Sequence, residues 1–253
     1  MTWLKTNIRD RLENPSLDFK VEMGFSNEPI VNFNYISHAT AFNISSKHKS
    51  IYIGLSGGMD SEFVCKTFIE NCQPFTPVIV DTPANQLEVS YAYHFCKKHD
   101  LEPIIISHSE KDLLEIYANE IYKKLNGVGK NSVAALLVGR FAKENGGKYI
   151  SAEHCIDKKM LSVNEWDFYN EALIENDPTI LFFLHNETIC RSMANLYDFG
   201  EEQEFKHRIY QIPFRPKMYW SYSSAIENAF SKLIISRKHK PNPRFEFKKD
   251  FLG

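Results

Sequence analysis

Four short apolar runs punctuate the middle of the chain: Ile51–Leu55, Pro77–Asp81, Pro103–Ser107 and Lys148–Ser151. Between them the apolar positions change to helical spacing, over about Asp60–Asn71, Gln86–His99, Lys111–Leu125 and Asn131–Glu144. In the first of these Phe63, Val64, Thr67 and Phe68 share a face; in the third Leu114, Ile116, Tyr117 and Ile121 largely do; in the fourth Val133, Leu136, Leu137 and Phe141 do. Strands alternating with helices predict an α/β fold, a parallel sheet with helices on both faces. Ligands of such sheets bind beyond the carboxyl ends of the strands. Ser56–Ser61, Asp81–Asn85, Ser107–Ser109 and Ala152–Asp157 all fall at that edge.

The flanks read differently. Residues 1–48 form a small β-rich unit, because Pro29–Phe33 and Tyr35–Ile44 carry β-branched and aromatic residues in partial alternation, which predicts two or three short strands. Residues 49–160 are the core. Residues 161–253 turn helical, with Asp177-Pro178 as cap and first turn of a helix running toward Gly200 and a last helix starting near Ser221.

At 253 residues, 43% apolar and 25% charged, the composition is that of an ordinary globular protein. No run approaches the ~20 apolar residues of a membrane span, and the N-terminus lacks the apolar core of a signal peptide. Five cysteines without a CxxC pair or zinc spacing fit reduced thiols, hence a cytoplasmic location. The net charge of −2 names no partner, but the C-terminal tail is basic: from Lys232 to Lys249, Lys232, Arg237, Lys238, Lys240, Arg244, Lys248 and Lys249 face one Glu246. Two readings are open, a nucleic-acid contact through phosphates and a solvated segment or one that reaches back to a phosphate site.

Ser56-Gly57-Gly58-Met59-Asp60-Ser61 carries the chemistry. It joins a predicted strand to a predicted helix through two glycines, the arrangement that offers backbone N–H groups and a positive helix end to an anion. Ser56 and Ser61 add hydroxyls. Asp60 beside a phosphate requires a cation between them, so it reads as a Mg²⁺ ligand, directly or through water. No lysine follows the glycines, which excludes a Walker loop, and no third spaced glycine is present, which excludes the dinucleotide fingerprint.

This segment resembles the SGGxDS loop of the PP-loop ATP pyrophosphatases, whose organisation is nearest to this chain in the asparagine synthetase C-terminal domain and the 7-cyano-7-deazaguanine synthases. The resemblance implies a Rossmann-like sheet of the HUP type, ATP and Mg²⁺ as cofactors, and Leu55–Ser61 as the ATP and pyrophosphate loop. It further implies Val80 and Asp81 on the adenosine side, with capping of the next turn as the plainer role for Asp81. A second Mg²⁺ carboxylate would come from Glu153 or Asp157, although the loop that carries them lacks the glycines of the family. A late Lys or Arg on the phosphates fits Arg215 and Lys217 best, in a segment stiffened by Pro213 and Pro216; a basic surface turn is the plainer reading. Lys130, Arg140, Lys158 and Lys159 are other cations. His154 and Cys155 are a His/Cys pair near the loop, but no second cysteine stands at sulfur-transfer spacing.

The implied activity is adenylation of a substrate oxygen (carboxylate, amide or ring carbonyl), release of Mg-pyrophosphate, and displacement of AMP by a nitrogen nucleophile. No N-terminal catalytic cysteine or glutaminase-sized segment is present, and no late cysteine zinc cluster. The partners expected are a small-molecule acceptor, a separate ammonia donor, a homodimer mate and no membrane. A tRNA- or DNA-base-modifying enzyme anchored by the basic tail, and a non-catalytic ATP- or AMP-binding module, are the alternative classes.

Overall fold

The chain opens with a strand pair, β1 (Leu4–Thr6) and β2 (Val21–Met23), antiparallel around helix α1 (Ile8–Glu13). In this computed structural model residues 3–26, 29–122, 132–153, 156–157, 160–163, 165–196, 202–213, 215 and 244–246 are described. The strands expected within 29–44 are absent: helix α2 runs over Phe33–Lys47. The Asn32 side chain accepts the Tyr35 N–H at 3.1 Å and caps it. Phe33, Ser37, Thr40, Ala41 and Ile44, spaced three and four apart, are its buried face. Alternation of β-branched residues was the weaker signal there. Ile8, Phe33, Ala41 and Ile44 join one continuous core with Ile53, Phe63 and Phe183.

The central region follows the expected alternation. Strand β3 (Ile51–Gly54) leads to α3 (Met59–Glu70), β4 (Thr76–Asp81) to α4 (Gln86–Lys98), and β5 (Ile104–Ser107) to α5 (Glu110–Ile116). After α5 the chain widens into a π-helical turn, Tyr117–Tyr122. Helix α6 (Ser132–Glu144) then delivers β6 (Lys148–Ser151). A hairpin of β7 (Ile156–Asp157) and β8 (Met160–Ser162) follows, then a 3₁₀ turn at Glu165–Phe168 and α7 (Tyr169–Leu173).

Asp177-Pro178 does not open a helix. Asp177 Oδ1 accepts the Thr179 N–H at 2.8 Å, and the Pro178 carbonyl accepts the Tyr149 N–H at 3.1 Å. Proline lacks a donor but its carbonyl enters the sheet ladder, so Thr179–Leu181 becomes a strand, β9, parallel to β6. Helix α8 starts only at Glu187 and ends at Leu196; α9 spans Glu202–Tyr210.

The five strands lie in the order β5-β4-β3-β6-β9, all parallel. Sequence order therefore reverses between β3 and β6. That is the switch point where the loops after the two strands diverge and leave a crevice. This is the Rossmann-like α/β sheet that the pattern predicts. Part of the basic tail, Arg244–Glu246, is strand β10, antiparallel to β8. The helix expected near Ser221 lies outside the described residues. Among these, no helix is long and apolar enough to cross a membrane.

Candidate nucleotide site

Strand β3 ends at Gly54, and the chain turns through Ser56–Gly58 into α3. Gly57 has φ +81°, and a Cβ placed on it would stand 2.0 Å from the Glu88 carbonyl oxygen. Only glycine combines that backbone angle with so close an approach to α4. The two serines lock the turn to itself. Ser61 Oγ donates to the Gly58 carbonyl at 2.9 Å, accepts the Ser56 N–H at 3.2 Å, and lies 3.1 Å from Ser56 Oγ. Ser56 Oγ accepts the Gly58 N–H at 3.3 Å. Gly58 caps α3 without a side-chain bond. The first N–H groups of that helix have no acceptor within it.

Those donors border a cleft of about 130 Å³. Gly54–Ser56, Gly58, Asp60 and Ser61 form one side; Val78, Val80, Ala134, Ala135 and Val138 form an apolar side; Ser151, Ala152 and Glu153 close the end beyond β6. A site with anion donors on one flank and an apolar slot on the other suits a phosphorylated aromatic group. Asn85 fixes the edge of the slot: its Oδ1 accepts the Thr82 N–H and hydroxyl, each at 2.9 Å, and its Nδ2 donates to the Val80 carbonyl at 2.9 Å. The Tyr149 hydroxyl is held well above the usual phenol range, chiefly by burial, with Glu153, Asp177 and Asp167 pushing the same way and a hydrogen bond to Ser151 opposing.

Asp60 lies at the cleft as expected, but with company that the sequence reading missed. Lys206 Nζ donates to its Oδ2 at 2.6 Å and the Tyr210 hydroxyl to its Oδ1 at 2.8 Å. Lys206 and Tyr210 are four apart on α9, so one helical face brings both to a single carboxylate. That spacing is visible in the sequence, yet nothing local ties it to a loop 146 residues earlier.

Arg215 sits behind the loop rather than among the cleft-lining residues. Its guanidinium donates to the Gly57 carbonyl, pairs with Glu62 at 2.5 Å and lies over the Tyr91 ring at 4.4 Å from the centroid. Burial raises the Glu62 carboxyl; the Arg215 charge pulls it back. Arg215 thus neutralises a buried carboxylate and bonds the backbone of the turn.

Leu55 and Met59 are buried, Leu55 also at the cleft wall. Val80 lines the slot, whereas the Asp81 carboxylate accepts from Gln86 Nε2 at 2.7 Å. Glu153 lines the cleft; the side chain of Asp157, in β7, and Lys217 lie outside the described residues, as do Lys130, His154, Cys155, Lys158 and Lys159. Arg140 pairs with Glu120. Cys65 and Cys96 are buried, and burial pushes both thiols up, Cys96 to about 11.

Among the described residues no group of three His, Cys, Asp or Glu is ready to hold a metal. Mg²⁺ beside phosphates asks for less, one or two carboxylates with the rest from phosphate and water. Asp60 and Glu153 are two carboxylates of that kind that line this cleft.

No protein-family model matches the sequence, and no curated protein does. Among solved structures, the chain is similar to an NH3-dependent NAD synthetase from Campylobacter jejuni at 18% identity and TM-score 0.38, over 49% of this chain and 58% of that one. It is similar to an NMN synthetase from Francisella tularensis at 13% identity and TM-score 0.40, over 85% of this chain and all of that one. A glutamine-dependent NAD+ synthetase from Acinetobacter baumannii, solved with ADP, aligns at 12% identity and TM-score 0.41, over 89% of this chain and 47% of that one. The chain thus spans little more than half of the first enzyme and under half of the third. The functional reading rests on the loop itself.

Proposed function

We propose that this chain is an ATP pyrophosphatase that adenylates a substrate oxygen. The observation that carries the reading is the turn at Gly57: its positive φ and its packing on Glu88 aim the N-terminus of α3 at a cleft whose opposite wall is apolar. In this reading ATP lays its phosphates on Gly58–Ser61 and its adenosine against Val78, Val80 and Val138. A carboxylate, amide or ring carbonyl oxygen attacks the α-phosphorus; the bond from that phosphorus to the pyrophosphate oxygen breaks, and pyrophosphate departs. A nitrogen nucleophile then displaces AMP.

The chain's residues divide the work. The α3 N–H groups bind the phosphates and stabilise charge that grows on the leaving group. Lys206, held by Asp60, keeps a cation one carboxylate away from the cleft. Asp60 and Glu153 would hold Mg²⁺, which supplies charge neutralisation on the departing pyrophosphate. Arg215 braces the loop from behind.

The test is product identity. ATP and Mg²⁺ are incubated with pooled small metabolites or pooled RNA, and pyrophosphate with AMP is quantified against orthophosphate with ADP. Pyrophosphate dependent on the small-metabolite pool is expected. Pyrophosphate only with RNA would move the activity to a nucleic-acid base, and bound ATP without pyrophosphate from any pool would make the chain a binding module.

A further inference from the structure

Asp60 reaches the cleft with both carboxylate oxygens already engaged by one helix, α9: Lys206 Nζ holds Oδ2 at 2.6 Å and the Tyr210 hydroxyl holds Oδ1 at 2.8 Å. The Lys206 side chain is 6% exposed, against 22% for Asp60. A buried ammonium is stable as a cation only beside a counter-charge, so Lys206 and this carboxylate depend on each other.

The core fixes the helix that carries both donors. The Tyr210 ring stacks on Phe63 of α3 with centroids 4.3 Å apart, and lies 6.4 Å from Phe33 and 6.2 Å from Phe183 in the same pile of rings. Lys66 Nζ, also on α3, donates to the Tyr210 carbonyl at 3.2 Å. Asp60 is thus held by a packed element and not by a surface side chain in passing contact.

A divalent cation that bound Asp60 in this state would meet the Lys206 ammonium across one carboxylate. Like charges a few ångströms apart in a partly buried site repel strongly. Phosphates reverse the balance, because they bring several negative charges to the same flank and offset both cations.

We infer that Lys206 is a positioning residue that sets what Asp60 accepts: it withholds the carboxylate from a free divalent cation and yields it to a cation that arrives with phosphates. The inference rests on the nucleotide reading and deepens it, since metal and phosphate chain then enter as one unit.

The experiment measures Mn²⁺ binding without phosphates by electron paramagnetic resonance, and binding of preformed magnesium pyrophosphate by calorimetry. The unaltered protein is compared with Lys206→Met, Lys206→Arg and Lys98→Met, the last a control that removes a cation whose charge reaches Glu62 of α3. Lys206→Met is expected to tighten Mn²⁺ binding about tenfold or more without tightening magnesium pyrophosphate. Lys206→Arg, which keeps the charge, should hold Mn²⁺ affinity near that of the unaltered protein, and Lys98→Met should leave it within about twofold. Mn²⁺ affinity unchanged or weakened in Lys206→Met, or raised equally in Lys98→Met, with magnesium pyrophosphate still bound by the unaltered protein, would overturn the inference alone. An unaltered protein that binds no magnesium pyrophosphate would overturn the nucleotide reading and the inference with it. If Lys206→Met does not fold, the Lys206 ammonium signal of ¹⁵N-lysine-labelled unaltered protein decides. It should stay in place with Mg²⁺ alone and move with Mg²⁺ and pyrophosphate; saturable movement with Mg²⁺ alone would overturn the inference.

Discussion

Replacing Gly57 with alanine tests whether the turn is built around a missing Cβ. Two costs add. An L-residue at φ +81° loses about 1–2 kcal/mol. The new methyl would start 2.0 Å from the Glu88 carbonyl oxygen, where real Cβ contacts stay beyond 3.0 Å, so loop and α4 must part by about 1 Å. Forced overpacking of this kind adds about 1–3 kcal/mol. The sum, about 2–5 kcal/mol, lowers Tm by roughly 4–20 °C in a domain of this size. Function should fall further than stability, because a shift of about 1 Å in a positioning element costs on the order of a hundredfold. Urea unfolding and ATP calorimetry on Gly57→Ala read the two effects separately. An unchanged midpoint with unchanged ATP affinity would refute the reasoning, since it would mean the turn does not press on Glu88.

Arg215→Ala should cost about 3–5 kcal/mol by leaving Glu62 buried without its counter-charge; an unchanged Tm with pyrophosphate release abolished would return Arg215 to the phosphates. Asp60→Asn should keep the fold at a cost of up to about 3 kcal/mol and abolish pyrophosphate release, and its stability effect should couple to that of Lys206→Met by about 1–3 kcal/mol. A fully active Asp60→Asn enzyme, or strictly additive effects in the double mutant, would remove Asp60 and Lys206 from the account. The Cys96 thiol is raised from 9.0 to about 11 in the folded chain, so its contribution is complete below pH 9 and is lost as pH rises toward 11. At about 1.4 kcal/mol per pH unit this amounts to roughly 2–3 kcal/mol under reducing conditions. Unfolding measured at pH 8 and pH 11 should include that drop, and Cys96→Ala should shrink the total by about that amount, the buried Cys65 thiol and Tyr149 hydroxyl supplying a remainder of the same sign; an identical drop in the variant would contradict the assignment.

The central strands and the turn at Ser56–Ser61 were legible because their signals are local: apolar runs of four or five residues, helical spacing between them, and two glycines at a strand-to-helix junction. What escaped depends on long-range partners. Thr179–Leu181 has too few residues to announce a strand and is one because β6 lies beside it. Residues 33–44 mix β-branched and aromatic side chains, and the Asn32 cap with a buried face decides for helix. The loop's glycines pointed to the turn, but Lys206 and Tyr210 reach Asp60 only through the packing of α9 on α3. Arg215 was recognisable as a cation near the site; that its guanidinium faces Glu62 and Gly57 depends on burial that no spacing reveals.

The central claim, that Ser56–Ser61 cradles the phosphates of ATP, is met most directly by backbone amide shifts of ¹⁵N-labelled protein during titration with pyrophosphate and then ATP, each with Mg²⁺. The account predicts saturable downfield movement of Gly58, Met59, Asp60 and Ser61 with both ligands, and of Val78 and Val80 with ATP alone. Saturable binding that leaves those four amides unmoved would contradict it.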